Sequence, residues 1–340
     1  MRSKYMKGYI LTKDKYGDWC VPPESPEVIR SNDSTRTTKG ELIATAYYYW
    51  LLQYMKKFAV LANQQQDIAA YDALAAKMQQ AFHNKFFNKK NNWYDNNTVT
   101  ANLLPLYFGI TPDSLKEAVF NNIYKKIRID NHMHISTGVI GTQWLMRGLT
   151  NNGRADIAYT LASNTTYPSW GYMAANGATT IWELWNGNTA NPQMNSQNHV
   201  MLLGDLLIRL YENLAGIRSD EEAVGFKKII MKPEPVDGLW FVKASYQSVH
   251  GEIYSHWQQS QDRASFRWEL RIPANTTAAI YIPATSVADV TESGNAVSSV
   301  KDIRFVKMDG RYAVFEIGSG SYAFTSHYSF KKGIVKDQFI

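Results

Sequence analysis

The sequence predicts a chain of two parts, a partial α/α toroid of helical hairpins followed by an antiparallel β-sandwich. In the first part, segments that are apolar on nearly every side alternate with segments that carry a single apolar stripe at helical spacing. Beyond residue 216 the pattern changes to short stretches of alternating apolar and polar residues separated by turn residues. The first pattern is produced by an inner ring of helices, packed on both sides, inside an outer ring of helices with one side exposed to solvent. The second pattern is produced by two packed sheets.

The first part is predicted to hold seven helices in which a buried helix precedes an amphipathic one. Their bounds are 40–63, 66–86, 99–108, 114–127, 137–150, 154–163 and 197–214. Residues 1–38 are predicted to be loop, because prolines interrupt them. A solenoid is the alternative architecture, although the sequence shows no repeat of fixed period. Seven helices are fewer than a complete six-hairpin ring needs, so we expect the first hairpins of such a ring to precede Met1.

The second part is predicted to hold eight short strands. Their bounds are 226–231, 239–246, 251–257, 265–272, 278–282, 303–307, 312–316 and 321–325. Phe266, Trp268 and Leu270 recur with a period of two, which places them on one face of a sheet. Asp309 and Gly310 form a hairpin signal between two of the strands.

The length of 340 residues suits roughly two domains. We expect a helical domain over 1–216, a β-sandwich over 217–329 and a short basic tail over 330–340. The chain has 10 Trp and 21 Tyr, and a surplus of these aromatics is common in carbohydrate clefts and protein interfaces as well as in cores.

Charge and metal-ligand content exclude several classes of function. The net charge of +6 comes from scattered Lys and Arg, so we expect no nucleic-acid partner. Cys20 is the only cysteine, which excludes an intrachain disulfide. No apolar run suits a signal peptide or a membrane span, so we expect no membrane partner. His132 and His134 have no accompanying Cys or carboxylate cluster, so we expect no metal, and no phosphate loop indicates a cofactor.

The stretch PSWGYMAANGATTIWELWNG over 168–187 is dense in glycine, small residues and aromatics. It holds one carboxylate, Glu183, flanked by Trp182 and Trp185. A carboxyl group in such surroundings loses hydration, which disfavours its charged form and suits it to proton transfer. The alternative is a structural glutamate that caps a helix or pairs with an arginine. From this stretch alone the two interpretations have equal support.

The chain from Gly17 to Tyr328 resembles the C-terminal half of a bacterial α-L-rhamnosidase of the inverting type. The motifs that carry the resemblance are GDW at 17–19, TANLLPL at 100–106, TG and GT at 137–142, PSWGYM at 168–173, GATTIWE at 177–183 and NH at 198–199. The GATTIWE motif is the specific one. The resemblance implies an (α/α)6 catalytic barrel followed by a C-terminal β-sandwich, and a rhamnose-containing oligosaccharide or polysaccharide as the partner.

The resemblance also implies roles for individual residues. Glu183 matches the general base that activates water, and His199 and Trp19 match residues that line the sugar pocket. Asp18 either holds sugar hydroxyls or anchors its loop. Trp182 and Trp185 either face the sugar or pack around the catalytic carboxylate.

One departure from the family pattern concerns the general acid. The Arg-Asp-Glu motif followed by Gly-Trp-x-Gly-Asp is absent from the chain, so we expect the acid to lie upstream of Met1. Asp18, Glu24 and Asp33 are the alternatives within the chain. The rival interpretations are an inactive carbohydrate-binding remnant and a glycosidase for another deoxy or neutral sugar. The family context implies a bacterial periplasmic or extracellular location.

Overall fold

The computed structural model describes residues 2–14, 16–28, 30–31, 33–190, 193, 195–262 and 264–328. The chain divides into two compact units, Met1–Leu206 and Leu207–Ile340. The division precedes the boundary expected at 216, because the turn Arg209–Leu214 contacts the first strand of the second unit. The tail expected over 330–340 lies outside the described residues.

The described helices of the first unit include the six predicted before residue 197, in the predicted order, and two short helices that the sequence did not predict. They are α1 (Arg2–Tyr5), α2 (Gly40–Leu61), α3 (Ile68–Phe86), α4 (Val99–Tyr107), α5 (Asp113–Lys125), α6 (Val139–Asn151), α7 (Ala155–Ser163) and α8 (Trp170–Ala175). A 3-10 turn precedes α3 and a π turn follows α5. Four two-residue strands make two small ladders: β1 (Met6–Lys7) pairs with β2 (Ile10–Leu11), and β3 (Phe87–Asn88) pairs with β4 (Trp93–Tyr94). The region predicted as loop therefore contains a short helix and a ladder.

Packing between these helices confirms the predicted hairpins. Helix α2 packs on α3, α4 packs on α5, and α6 packs on α7, while α4 also contacts both α2 and α6. The central helix α4 is buried from Val99 to Leu106, as its nearly continuous apolar sequence predicts. The shared core includes Leu42, Phe82, Leu103 and Leu149.

Helix α2 departs from the prediction of burial on every side. Leu42, Ile43 and Ala46 are buried, but Phe58 is 54% exposed and Leu61 is 80% exposed. Among the described elements, α2 contacts α3, α4 and β2, and these leave Phe58 and Leu61 exposed. Periodicity shows that both sides of a helix are apolar, and it does not show what covers each of them.

The helix predicted over 197–214 is broken into three pieces. A 3-10 turn spans Val200–Leu203, the short helix α9 spans Leu206–Ile208, and a π turn spans Arg209–Leu214. Gly204 separates the first two with φ of 60°, and a Cβ there would lie 2.3 Å from the carbonyl oxygen of Thr142. The close approach of α6 therefore requires a glycine conformation that ends the helix.

The second unit contains eleven described strands. They are β5 (Ile217–Ser219), β6 (Lys228–Met231), β7 (Phe241–Ser248), β8 (Gly251–Gln259), β9 (Ser265–Ile272), β10 (Thr277–Pro283), β11 (Val290–Glu292), β12 (Asn295–Ala296), β13 (Ile303–Asp309), β14 (Tyr312–Ile317) and β15 (Gly320–His327). The eight predicted strands are all present. The sequence missed β5, β11 and β12, because strands of two or three residues are too short to show a period of two.

These strands form two sheets with a common core, as predicted. One sheet has the order β13-β14-β10-β6-β5 and the other the order β12-β11-β15-β9-β8-β7. Neighbouring strands are antiparallel except for the parallel pair β6 and β10. The core between the sheets is rich in aromatics, including Trp257, Phe266, Trp268, Phe315 and Phe324. In the described part of the chain, no helix is both long enough and apolar enough to cross a membrane.

Candidate active site

The stretch over 168–187 begins as a helix and continues as an extended segment. Ser169 caps α8 by accepting a hydrogen bond from the backbone N–H of Tyr172 at 2.9 Å. Further along, the N–H of Glu183 donates to the carbonyl of Ser196 at 2.8 Å, and the N–H of His199 donates to the carbonyl of Ile181 at 2.7 Å. The backbone therefore joins the segment of Glu183 to the segment of His199.

The Glu183 carboxylate is half-buried and is held at both oxygens. Its Oε2 accepts the backbone N–H of Ser196 at 2.9 Å, and its Oε1 accepts the indole Nε1–H of Trp19 at 3.5 Å. Trp19 is 164 residues away in the chain, so the fold brings together two residues of separate motifs. Two donors fix the direction of the carboxylate, and its partial exposure leaves it accessible to water.

The indole of Trp19 presents an aromatic surface beside this carboxylate. It is 38% exposed, the edge of Tyr16 lies 6.0 Å away, and the guanidinium of Arg30 lies over it at 5.3 Å. An exposed indole next to a carboxylate suits a ligand with an apolar C–H face and polar hydroxyls.

His199 is half-buried and its backbone is fixed against Ile181. Its ring Nδ1 is buried and has no hydrogen-bond partner among the described residues. A buried imidazole nitrogen without a partner is costly unless a ligand or water satisfies it. Because this nitrogen has almost no accessible surface, the contact of His199 with a sugar stays a prediction.

Trp182 and Trp185 are buried, with exposed fractions of 5% and 0%. The ring of Trp185 lies 5.8 Å from that of Trp170, and Gly187 packs so closely on Trp182 that a Cβ would lie 2.6 Å from the indole. The geometry therefore favours packing around Glu183 over direct contact with a sugar for both tryptophans.

Asp18 is buried, and both of its carboxylate oxygens are occupied. They accept hydrogen bonds from the backbone N–H groups of Gly138, Ile140 and Gly141 and from the hydroxyl of Thr100. Burial raises the pKa of the Asp18 carboxyl, while these four donors favour its charged form. With no free lone pair directed to solvent, Asp18 fits the loop-anchor alternative better than a contact with sugar hydroxyls.

Two of the three acids offered as replacements for the missing general acid, Glu24 and Asp33, have the wrong electrostatics. Glu24 accepts a hydrogen bond from Ser31 at 2.6 Å and lies 3.9 Å from Arg36, and these contacts lower its pKa. Asp33 accepts two hydrogen bonds from Thr35, which lower its pKa as well. A general acid needs a raised pKa, so neither residue is suited to the role.

The ring of His134 is explained by local structure. The Nε2 of His134 lies 2.7 Å from the hydroxyl of Thr166, and its Nδ1 lies 2.7 Å from the carbonyl of His132. Both ring nitrogens are therefore used in hydrogen bonds before α6. In the described part of the chain, no three His, Cys, Asp or Glu side chains gather as a metal site would require.

The sequence missed Ser196 and Cys20 as neighbours of Glu183, and it missed Arg30 as a neighbour of Trp19. Ser196 contacts Glu183 only through its backbone N–H and carbonyl groups, which leave no signal in a residue pattern. Cys20 follows Trp19 directly, and burial raises the pKa of its thiol to about 12, with the negative charge of Glu183 as the next cause. Adjacency to the GDW motif is the one signal that identifies Cys20 in advance.

The thiol of Cys20 is expected to report on Glu183. At pH 8 we expect iodoacetamide to label Cys20 about 50-fold more slowly in the folded chain than in urea. The raised pKa leaves a much smaller fraction of the thiol as thiolate, and the greater nucleophilicity of that thiolate offsets only part of this loss. Replacing Glu183 with glutamine removes the negative charge and is expected to accelerate labelling. Mass spectrometry of timed samples measures both rates. Equal rates in the folded and unfolded chains would contradict this placement of Cys20.

Comparison with known proteins identifies the family of the first unit and of the β-sandwich. Residues 1–214 match the bacterial alpha-L-rhamnosidase 6 hairpin glycosidase domain, and residues 216–297 match the bacterial alpha-L-rhamnosidase C-terminal domain. An alpha-L-rhamnosidase of Streptomyces avermitilis is 32% identical over 95% of this chain and 29% of its own length. One of Formosa agariphila is 31% identical over 95% of this chain and 34% of its own length.

Solved structures give the same result. The Streptomyces avermitilis alpha-L-rhamnosidase complexed with L-rhamnose matches with a TM-score of 0.82 and 30% identity, over 95% of this chain and 29% of that chain. The alpha-L-rhamnosidase from Dictyoglumus thermophilum matches with a TM-score of 0.83 and 32% identity, over 96% and 35%. The chain spans about a third of the length of the relatives that it matches. It belongs to the bacterial alpha-L-rhamnosidase family.

Proposed function

We propose that this chain supplies the base side of an inverting α-L-rhamnosidase site, with Glu183 as the general base. The observation that carries the proposal is the half-buried carboxylate held by Trp19 Nε1 and the Ser196 N–H, within the GATTIWE motif. These two donors leave lone pairs of both oxygens free, so the carboxylate can accept a proton from water.

The proposed reaction follows from this geometry. Glu183 takes a proton from a water molecule while the water oxygen forms a bond to the anomeric carbon of rhamnose. The bond between that carbon and the leaving-group oxygen breaks on the opposite face, and the leaving group takes a proton from a carboxylic acid. An inverting site of this kind separates its two carboxyl groups by about 6.5–9.5 Å to leave room for the water.

Substrate recognition in the proposal rests on Trp19 and His199. Rhamnose is a 6-deoxy sugar with a methyl group and apolar C–H faces, which suit the exposed indole of Trp19. The half-buried ring of His199, whose backbone is bonded to Ile181 two residues before Glu183, is proposed to contact a sugar hydroxyl. The relative whose structure contains L-rhamnose supports this sugar as the ligand.

The proton for the leaving group is proposed to come from a carboxylic acid outside these 340 residues. The lowered pKa values of Glu24 and Asp33 and the occupied oxygens of Asp18 support this division. The same observations favour a second candidate, a chain that binds rhamnose and does not catalyse. For a polysaccharide substrate, the location would be a bacterial periplasm or the outside of the cell.

A substrate whose leaving group departs without needing a proton distinguishes between the two candidate functions. We expect the purified chain to bind L-rhamnose in isothermal titration calorimetry and to release fluoride from α-L-rhamnosyl fluoride, measured with a fluoride electrode. Fluoride departs as a stable anion, so only the base side of the site is needed. Binding of L-rhamnose without fluoride release would favour the carbohydrate-binding candidate. Absence of both L-rhamnose binding and fluoride release would contradict both candidates.

A further inference from the structure

Asp18 makes a long-range cap on helix α6. Its Oδ1 accepts the N–H groups of Ile140 at 2.9 Å and Gly141 at 3.1 Å, and its Oδ2 accepts the N–H of Gly138 at 3.0 Å. Oδ2 also accepts the hydroxyl of Thr100 at 2.5 Å, which ties the same carboxylate to α4. One buried side chain thus serves the first turn of α6 and the first turn of α4.

Helix α6 has no cap of its own. Its N-cap residue is Gly138, which has no side chain to accept the N–H groups at the start of the helix. The acceptor instead comes from Asp18, 120 residues earlier in the chain. A negative charge at a helix N-terminus is also favoured by the helix dipole.

The same contact fixes the backbone of Trp19. The N–H of Val139, the first residue of α6, donates to the carbonyl of Trp19 at 2.7 Å. There is no space around this pair: a Cβ at Gly138 would lie 2.1 Å from the Trp19 carbonyl oxygen. A Cβ at Gly141 would lie 2.0 Å from the hydroxyl oxygen of Thr100. These hydrogen bonds and close contacts therefore fix the position of the Asp18–Trp19 segment against the start of α6.

We propose that Asp18 is a positioning residue that sets the indole of Trp19 against the Glu183 carboxylate by capping α6 from a distance. Asp18 does not touch the sugar in this account. It acts through Trp19, whose Nε1 lies 3.5 Å from Glu183 Oε1. The functional part of the inference rests on the proposed function, whereas the placement of Trp19 by Asp18 does not.

Asparagine is a sharp test at position 18, because it keeps the shape of the side chain and changes its hydrogen bonding. All four groups around the carboxylate donate, and three of them are backbone N–H groups that cannot reverse. The amide of asparagine has one acceptor oxygen and one donor nitrogen. In either orientation of the side-chain amide, its NH₂ group faces at least one backbone N–H. The position of Trp19 is therefore expected to shift.

Asp205 provides a matched control on the same helix. Its carboxylate is also fully buried and accepts the α6 N–H groups of Met146 at 3.0 Å and Arg147 at 2.8 Å. No contact described for Asp205 involves Trp19 or Glu183. Asp205→Asn therefore tests whether any loss of a buried carboxylate on α6 has the same effect.

The experiment uses ¹⁹F NMR of the 340-residue chain labelled with 5-fluorotryptophan. The resonance of Trp19 is assigned by its loss in Trp19→Phe. In Asp18→Asn we expect this resonance to move and to lose its response to L-rhamnose, and the dissociation constant of L-rhamnose to rise by about tenfold or more. In Asp205→Asn we expect the resonance and its response to match the original chain. An unmoved Trp19 resonance in folded Asp18→Asn would overturn the inference.

A second variant covers the case in which Asp18→Asn does not fold. Gly138→Ala keeps the Asp18 side chain, but its Cβ would lie 2.1 Å from the Trp19 carbonyl oxygen and 2.8 Å from Oδ1 of Asp18, so it should disturb the same contact and move the same resonance. An unmoved resonance in Gly138→Ala would then overturn the inference. The spectra without sugar test the role of Asp18 alone. Absence of any rhamnose response in the original chain would instead count against the proposed function.

Discussion

Glu183→Gln is expected to slow fluoride release from α-L-rhamnosyl fluoride by about 10²–10⁴-fold, the usual contribution of a general base. Glutamine keeps the shape of glutamate, but its amide cannot take a proton from the attacking water. Because the amide oxygen still accepts one of the two hydrogen bonds that hold the side chain, the affinity for L-rhamnose is expected to change little. Initial rates at saturating substrate measure kcat, and calorimetry measures the affinity.

Glu117→Gln is the matched control for this change. Glu117 is an exposed residue of α5, so the same substitution there should leave both the rate and the affinity unaltered. A kcat near the original value in Glu183→Gln would contradict the assignment of the base. A large loss of L-rhamnose affinity with little change in kcat would instead assign Glu183 to binding.

The second large effect concerns the leaving group. The chain is expected to hydrolyse α-L-rhamnosyl fluoride but to show little turnover of phenyl α-L-rhamnoside, since departing phenoxide needs a proton that departing fluoride does not. The lowered pKa values of Glu24 and Asp33 keep both carboxyls charged at neutral pH, so neither provides that proton. The two substrates carry the same sugar, and their initial rates are compared under identical conditions.

Comparable rates for the two substrates would show that the chain contains a working general acid. Glu24→Gln and Asp33→Asn would then identify it. If neither variant lowered the rate for the phenyl substrate, the acid would be a residue that the present account does not assign. Loss of hydrolysis of both substrates would return the chain to the carbohydrate-binding candidate.

Helical spacing predicted most of the first unit because its hairpins are local structures. The amphipathic helix α5, for example, was expected over 114–127 and spans Asp113–Lys125. The prediction of one continuous helix over 197–214 was wrong, because the helix is broken at Gly204, which lies against the backbone of Thr142. The prediction that α2 is buried on every side was wrong for a related reason, since an apolar pattern does not show which element packs against each side of a helix. Contacts between distant segments leave no periodic signal.

The candidate site shows the same division between local and long-range information. The motif over 177–183 marks Glu183, but its hydrogen bond with Trp19 joins residues 164 positions apart. Residue type also left roles open at Trp182 and Trp185, because a buried tryptophan and a sugar-binding tryptophan look alike in a sequence. At Asp18 the sequence showed a carboxylate beside Trp19, and only the geometry shows that four donors occupy it.

The anomeric form of the first rhamnose released tests the central proposal most directly. Water activated by Glu183 attacks the face opposite the leaving group, so ¹H NMR of a fresh reaction with α-L-rhamnosyl fluoride should show β-L-rhamnose first. The α-anomer should appear later, as mutarotation proceeds. Release of α-L-rhamnose first would show retention of configuration and would contradict the role of Glu183 as a base for water.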